Sequence, residues 1–350
     1  MLETQYYKKI KNKRIAIFGI MPPPLGGVSI HIQRVAKKFQ ENNNSVYHFK
    51  TEFRGRRWLL PFYLLYATLF LLWNKIDTLY YHSLSQPNSI TEIRFLIFIK
   101  KILKFQIILV EHNCKHMYKR SSRSKSKLSK SMKYVDEIIF LWNSTHKSYI
   151  DNAIKIPQKY SIDSAFLPPD KKQKTHILNT YPKLLQIFLE THNPILLVNA
   201  SRMAMYNNQD LYGLDKSIHA ISKLKKNHHN IGLIVALAKI DNRSYFIELN
   251  KKIENLGITE NIFFLIDQHE LWPLMENIDI FLRPTLYDGT GISIFEAFIF
   301  NKVVIASNVC ERPQKTILFD IKDQDDFVNK INLAIHKGSR EVYRSNKKNI

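Results

Sequence analysis

The chain has 350 residues, 45% hydrophobic and 23% charged, a globular composition that excludes a disordered polymer. Lys and Arg outnumber Asp and Glu by 52 to 30, a net +22 that draws polyanions: nucleic acid, an anionic bilayer or phosphorylated substrates. Two cysteines, Cys114 and Cys310, form neither a disulfide framework nor metal-site spacing, and fit a reducing compartment.

Residues 1–13 are polar and basic, without the apolar stretch of a signal peptide. Residues 14–18 predict a strand, followed by a Pro/Gly loop and an amphipathic helix over 28–39. Next comes a 16-residue, nearly all-apolar run over 58–73, preceded by Arg54, Arg56 and Arg57. It falls short of the about 20 residues that span a bilayer, and Pro61 sits early in it. Its length favours a buried helix, while Trp and Arg at its edge fit a helix lying in a bilayer interface.

Thr78–Tyr81, 106–110 and 137–141 predict further strands. Residues 115–133 hold eight Lys/Arg, no acids and several serines, which reads as a solvated face or as attraction to an anionic bilayer. The pattern breaks around 154–174, with Pro157, Pro168, Pro169 and several lysines. The expected domains are 1–170 and 171–336, with a basic tail over 337–350 that reads as a surface helix or a frayed end. The second domain repeats the alternation. Its strands fall at 195–198, 232–236, 262–265, 278–282 and 303–306, and its helices at 214–226, 245–256, 271–277, 294–300 and 325–336. Strands alternating with helices predict an α/β fold of parallel sheets covered by helices.

The most informative stretch runs from Arg283 through Asp288, Gly289, Thr290, Gly291 and Ile292 to Glu296 and Ala297, after a strand and into a helix. Ligands of open α/β sheets bind at the carboxyl ends of the strands. The glycines admit close approach, and the amides opening the helix can hold phosphate oxygens. Glu296 could accept hydrogen bonds from ribose hydroxyls. Ser293 and Glu296 also have the spacing of a capping box, an alternative that these residues alone leave open.

Asp288 and Glu296, spaced acid–x7–Glu before Ala297 and followed by Lys302-Val-Val-Ile-Ala306-Ser307, resemble the C-terminal signature of family-4 retaining glycosyltransferases. Asp288 stands where that family usually has Glu, and Asn301 where it has Gly. Asn199-Ala-Ser201-Arg202 resembles the family's Ser/Gly-Arg. Tyr212-Gly213 stands at its Lys-Gly, so the lysine is missing, with Lys216 one turn on as a substitute. Gly26 and Gly27 resemble its first loop, and Glu111-His112-Asn113 its active-site histidine after a strand, with His82-Ser83 similarly placed.

The resemblance implies a GT-B fold: two Rossmann-like domains facing a central cleft, the first for acceptor and the second for donor. It implies transfer of a sugar from a nucleoside-diphosphate sugar to an acceptor hydroxyl with retention, and no other cofactor. Glu296 would bind ribose. Asp288 and His112 would lie near the transferred sugar. Arg202, with Lys216 and the loop Gly289-Thr290-Gly291-Ile292, would stabilise the diphosphate, and Gly26 and Gly27 would face it. No metal ligand is expected; Asp323-Gln-Asp325 reads as a helix cap.

The expected acceptor is lipid-linked or saccharide, in capsular, exopolysaccharide or O-antigen assembly. The expected location is cytoplasmic and peripheral, at an anionic membrane surface on the inner face of the plasma membrane. Base contacts are expected after 262–265, from Gln268, His269 or Leu271. The rival readings are a basic nucleic-acid-binding protein, a related epimerase or inverting transferase, and an inactive GT-B partner subunit. No zinc pattern or interleaved stacking surface supports the first, so nucleic acid is not an expected partner.

Overall fold

The computed structural model describes residues 7, 10–51, 59–86, 88–113, 115–289 and 291–345. The chain divides into two compact units, Met1–Pro168 and Pro169–Ile350, at a pair of prolines.

The strands of the N-terminal unit are β1 (Arg14–Gly19), β2 (Ser45–Lys50), β3 (Thr78–Tyr81), β4 (Gln106–Glu111), β5 (Glu137–Phe140) and β6 (Tyr160–Ile162). They form one parallel sheet in the order β2-β1-β3-β4-β5-β6. The central strands are buried along nearly their whole length, which is why they read as continuous apolar runs rather than alternating ones. Edge strands β2 and β6 are more exposed and carry no such run, so the sequence did not mark them.

Helices α1 (Gly27–Glu41), α2 (Leu60–Trp73), α3 (Ser89–Leu103), α4 (Lys115–Lys119), α5 (Ser122–Ser131) and α6 (Asn143–Asp151) connect the strands. Ile32, Val35 and Phe39 of α1 pack on one face of the sheet, with Ile15, Ile17 and Val110. Residues of α2, α3, α5 and α6 pack on the other.

The C-terminal unit opens with α7 (Lys174–Leu178) and α8 (Lys183–Thr191), then β7 (Ile195–Ala200) and a two-stranded ribbon of β8 (Met205–Tyr206) and β9 (Gln209–Asp210). There follow α9 (Leu214–Leu224), β10 (Gly232–Leu237), α10 (Arg243–Asn255), β11 (Ile262–Ile266), β12 (Ile280–Arg283), α11 (Ile292–Ile299), β13 (Val303–Ser307), β14 (Ile317–Phe319) and α12 (Gln324–Ser345). The parallel order β11-β10-β7-β12-β13-β14 reverses direction at β7. A switch point therefore lies at the carboxyl ends of β7 and β12, where open α/β sheets bind ligands. The N-terminal sheet has its own switch point, between β1 and β3.

Three expectations change. Residues 271–277 form only a short 3-10 turn, Leu274–Asn277. The last helix does not stop at 336 but continues to Ser345, so much of the expected tail extends α12. The apolar run is not a buried helix: of α2 only Ala67 and Leu71 are buried. Apolar residues lie all around α2, so periodicity offered no way to tell its sheet-facing strip from its outer face.

Candidate functional site

In the C-terminal unit, the segments after β7 and β12 meet through side chains. Arg283, at the end of β12, donates from Nη1 to Asn199 Oδ1 at 2.9 Å. It also forms a bidentate pair with Asp288, Nε to Oδ2 at 2.7 Å and Nη2 to Oδ1 at 2.9 Å. Arg312, beyond β13, donates from Nη1 to Asp288 Oδ2 at 2.8 Å and to the Gly289 carbonyl at 3.0 Å, and from Nη2 to Thr285 Oγ1 at 3.2 Å. Burial opposes ionisation of Asp288, but Arg283 first and Arg312 second outweigh it and hold the carboxyl at about 2.

The resemblance expects Asp288 near the reacting sugar. Here each of its oxygens is engaged by a guanidinium, and it ties the loop to two strand ends. Sequence reading missed Arg312. Its signal was position: a cation just past a parallel strand's carboxyl end.

Helix α11 starts behind Gly291, whose φ of 82° suits glycine, and no side chain caps it. Ser293 lies inside the helix, so the capping box centred on it is not formed. Glu296 is 7% exposed, on the second turn. Gly289 is exposed with open space where a Cβ would stand. Ile292 is half-buried, and Thr290 lies outside the described residues.

Arg202 is exposed beyond β7. Tyr212, at the position of the missing lysine, bonds through its hydroxyl to Ser201 Oγ at 2.6 Å, and the Arg283 guanidinium lies 5.9 Å from its ring centre. Gly213 has φ 67° and ends the approach to α9; a Cβ on it would stand 2.3 Å from the Pro284 carbonyl oxygen. Lys216 is the third residue of α9 and half-buried, its carbonyl accepting from Gln324 Nε2. Of the base-contact candidates, His269 bonds to Thr180 Oγ1 and to the Ile266 carbonyl. Asp323 Oδ1 accepts from the backbone of Asp325 and Asp326, both at 2.9 Å, the cap expected of that motif.

In the N-terminal unit, Gly26 is the N-cap of α1. Its N–H donates to Ser29 Oγ at 3.0 Å, and Ser29 Oγ donates to the Pro24 carbonyl at 2.7 Å. Gly27, the first helical residue, is exposed. His112 follows β4 half-buried, its Nε2 3.0 Å from Nδ1 of His82, which follows β3. Burial first, then His31 and His82, push the His112 pKa well down. The adjacent Glu111 is structural: it is buried and accepts from Tyr149 Oη and pairs with His116 Nε2, both at 2.9 Å.

The other face of this unit carries a patch. Phe62 is 64% exposed, Leu69 54% and Trp73 89%, all on α2, and Phe98 and Ile102 of the adjoining α3 are also exposed. Beside α3, α5 borders a groove of about 970 Å³ lined by Arg94, Lys125, Lys127, Lys130, Lys133 and Lys155. Arg120 does not join this field; it turns inward to the Leu84 carbonyl and Ser89 Oγ. Arg54, Arg56, Arg57 and Trp58 lie outside the described residues. No described helix is long and apolar enough to cross a membrane.

The two parallel α/β units have the GT-B fold of glycosyltransferases, and residues 192–350 match the family described as glycosyl transferases group 1. The chain is similar to a glycosyltransferase from Rickettsia africae, with a TM-score of 0.71 and 14% identity, over 96% of this chain and 93% of that one. It is similar to Anabaena HepE in complex with UDP, with a TM-score of 0.68 and 14% identity, over 95% and 93% of the two chains. Among curated proteins, lipopolysaccharide glucosyltransferase WaaG of Escherichia coli (strain K12) is 24% identical over 156 residues, 44% of this chain. That match spans 39% of WaaG's length.

Proposed function

We propose that this chain is a retaining glycosyltransferase of family 4. In this reading it moves a sugar from a uridine-diphosphate sugar to a saccharide or lipid-linked acceptor in surface-polysaccharide assembly. The observation that carries the reading is the arrangement after β12: a buried Glu296 on α11, behind a side-chain-free N-terminus, within the segment that matches the group 1 model. UDP is chosen as nucleotide because HepE was solved with UDP and with UDP-glucose, and WaaG's name supports a saccharide acceptor.

Glu296 accepts from the ribose hydroxyls. The amides of Gly291 and Ile292 and the partial positive charge of the α11 terminus meet the diphosphate. Exposed Arg202 adds a bidentate cation, with Lys216 as the nearer substitute for the missing lysine. As the glycosidic bond to the donor breaks, negative charge grows on the departing diphosphate, and these preorganised groups stabilise it without a metal ion at that position. Asp288 acts by holding Arg283 and Arg312 against the loop. His112, neutral at pH 7, offers the sugar a hydrogen bond, while Gly26 and Gly27 line the first unit's contribution.

The same reading makes the protein peripheral at an anionic membrane. Exposed α2 residues enter the interface, and the basic groove beside α5 meets anionic headgroups. The acceptor lipid is then presented from the bilayer.

The test is calorimetric titration of UDP, GDP and ADP, without metal, into the wild type and Glu296→Ala. Micromolar UDP binding lost in the variant supports the reading. Equal binding by the variant, or none by the wild type, overturns the role of Glu296 and with it the reading's main support, whereas nucleotide binding without turnover points to an inactive GT-B partner subunit.

A further inference from the structure

We propose that His31, His82 and His112 form a site for a transition-metal ion, of the class served by three imidazoles such as zinc or cobalt. The three residues come from α1 and from the loops after β3 and β4, beside the N-terminal unit's switch point. One nitrogen from each ring lies within 4.8 Å of the other two, the one such group of three candidate ligands among the described residues. Ring centres are 5.0 Å apart for His31 and His112 and 5.2 Å for His82 and His112. Zinc–imidazole bonds of about 2.0–2.1 Å place tetrahedral ligand nitrogens about 3.3 Å apart. The 3.0 Å contact between His82 and His112 is already close to that spacing, and the His31 nitrogen lies within 4.8 Å of both.

The hydrogen bonds select ligand atoms. His31 Nδ1 is 2.7 Å from the Ala165 carbonyl. A carbonyl only accepts, so Nδ1 holds the proton and Nε2 presents the lone pair, the usual second-shell arrangement of a metal-bound histidine. The Tyr7 hydroxyl is 3.4 Å from that Nε2, too long to compete strongly. His82 is 3% exposed and its Nε2 has no partner among the described residues. Its Nδ1 meets only another imidazole.

Burial pushes all three imidazoles towards the neutral, ligating form, His31 to about 4. A ligand set of three imidazoles favours borderline metals over magnesium or calcium. The ion would tie α1 to two strand ends and fix the orientation of half-buried His112. All three ligands belong to the N-terminal unit, and none is among the residues proposed for the diphosphate.

The test uses the full, untagged chain stripped by chelator and titrated with Co²⁺, then with competing Zn²⁺. The expected result is one tight equivalent with the intense visible d–d absorption of a four-coordinate site, displaced by Zn²⁺. His82→Gln and His112→Gln should each weaken binding by more than about tenfold and abolish the absorption. His112 is half-buried, so its variant remains informative if the buried His82 variant fails to fold. A wild type without the absorption, or one whose absorption survives in folded His112→Gln, overturns the site. UDP binding by the C-terminal unit is titrated separately, so failure here is distinguishable from failure of the transferase reading.

Discussion

Arg312 Nη1 lies 2.8 Å from Asp288 Oδ2, the same oxygen that Arg283 Nε holds at 2.7 Å. The Arg312 side chain is 1% exposed, so this pair is a buried element of the loop and not a surface contact. Removing the carboxylate leaves two desolvated guanidinia without the anion they share. Asp288→Ala should therefore lower the stability of the C-terminal unit by about 3–5 kcal/mol, measured by denaturant unfolding. A purely catalytic Asp288 would instead lose activity with stability intact. Arg312→Lys should lose much of the effect too, since an ammonium cannot reach Asp288, Gly289 and Thr285 together.

A second prediction concerns the turn into α9. At φ 67° and 2.3 Å from the Pro284 oxygen, a Cβ at position 213 is both strained and obstructed by backbone. Gly213→Ala should cost at least about 1–3 kcal/mol and displace Pro284, next to Arg283. Thermal unfolding reads the cost. UDP calorimetry reads whether the β12–α11 loop moved; unchanged affinity would separate that loop from nucleotide binding.

How much of this was legible beforehand depended on the kind of signal. Strands β3, β7, β10 and β13 are buried runs whose local sequence announces them. Strands β2 and β14 are half-exposed, and only pairing with a neighbour makes them strands. Gly291 and Glu296 stood out as candidates because they share a short motif after one strand, and Arg202 because it closes another after β7. Arg312 lies 24 residues from Asp288 in sequence, and no local pattern links them. The same holds for His31 and His82, separated by 51 positions, which only the sheet order brings to one end of the unit. The α2 reading failed for another reason: uniform apolarity hides which side a helix buries.

The α2 patch gives a third prediction. Leu69 and Trp73 are 54% and 89% exposed, so Leu69→Ser with Trp73→Ser removes little packing, and stability should stay within about 0.5 kcal/mol per site. Co-sedimentation with vesicles rich in anionic lipid should fall at least about tenfold. Wild-type binding should weaken as salt rises, because the cations along α5 act through a field screened over about 8 Å at physiological ionic strength. Vesicle binding equal in the double variant would show that α2 does not enter the bilayer.

The last prediction follows from Glu92, buried on α3 with its Oε2 accepting from Tyr81 Oη at 2.6 Å. Burial raises its pKa to about 7, and the Tyr81 hydrogen bond only partly opposes this. The folded value lies above the unfolded one, so the folded state holds the proton more tightly. That contribution is fully present below the unfolded pKa near 4.5 and is lost as pH rises towards 7. The window is worth at most about 3 kcal/mol, at 1.36 kcal/mol per pKa unit. Glu92→Gln keeps an acceptor for Tyr81 but never ionises. It should therefore raise the melting temperature at pH 8 and change it little at pH 4.5. An equal shift at both pH values would mean that Glu92 does not titrate between them, and that the substitution acts through packing alone.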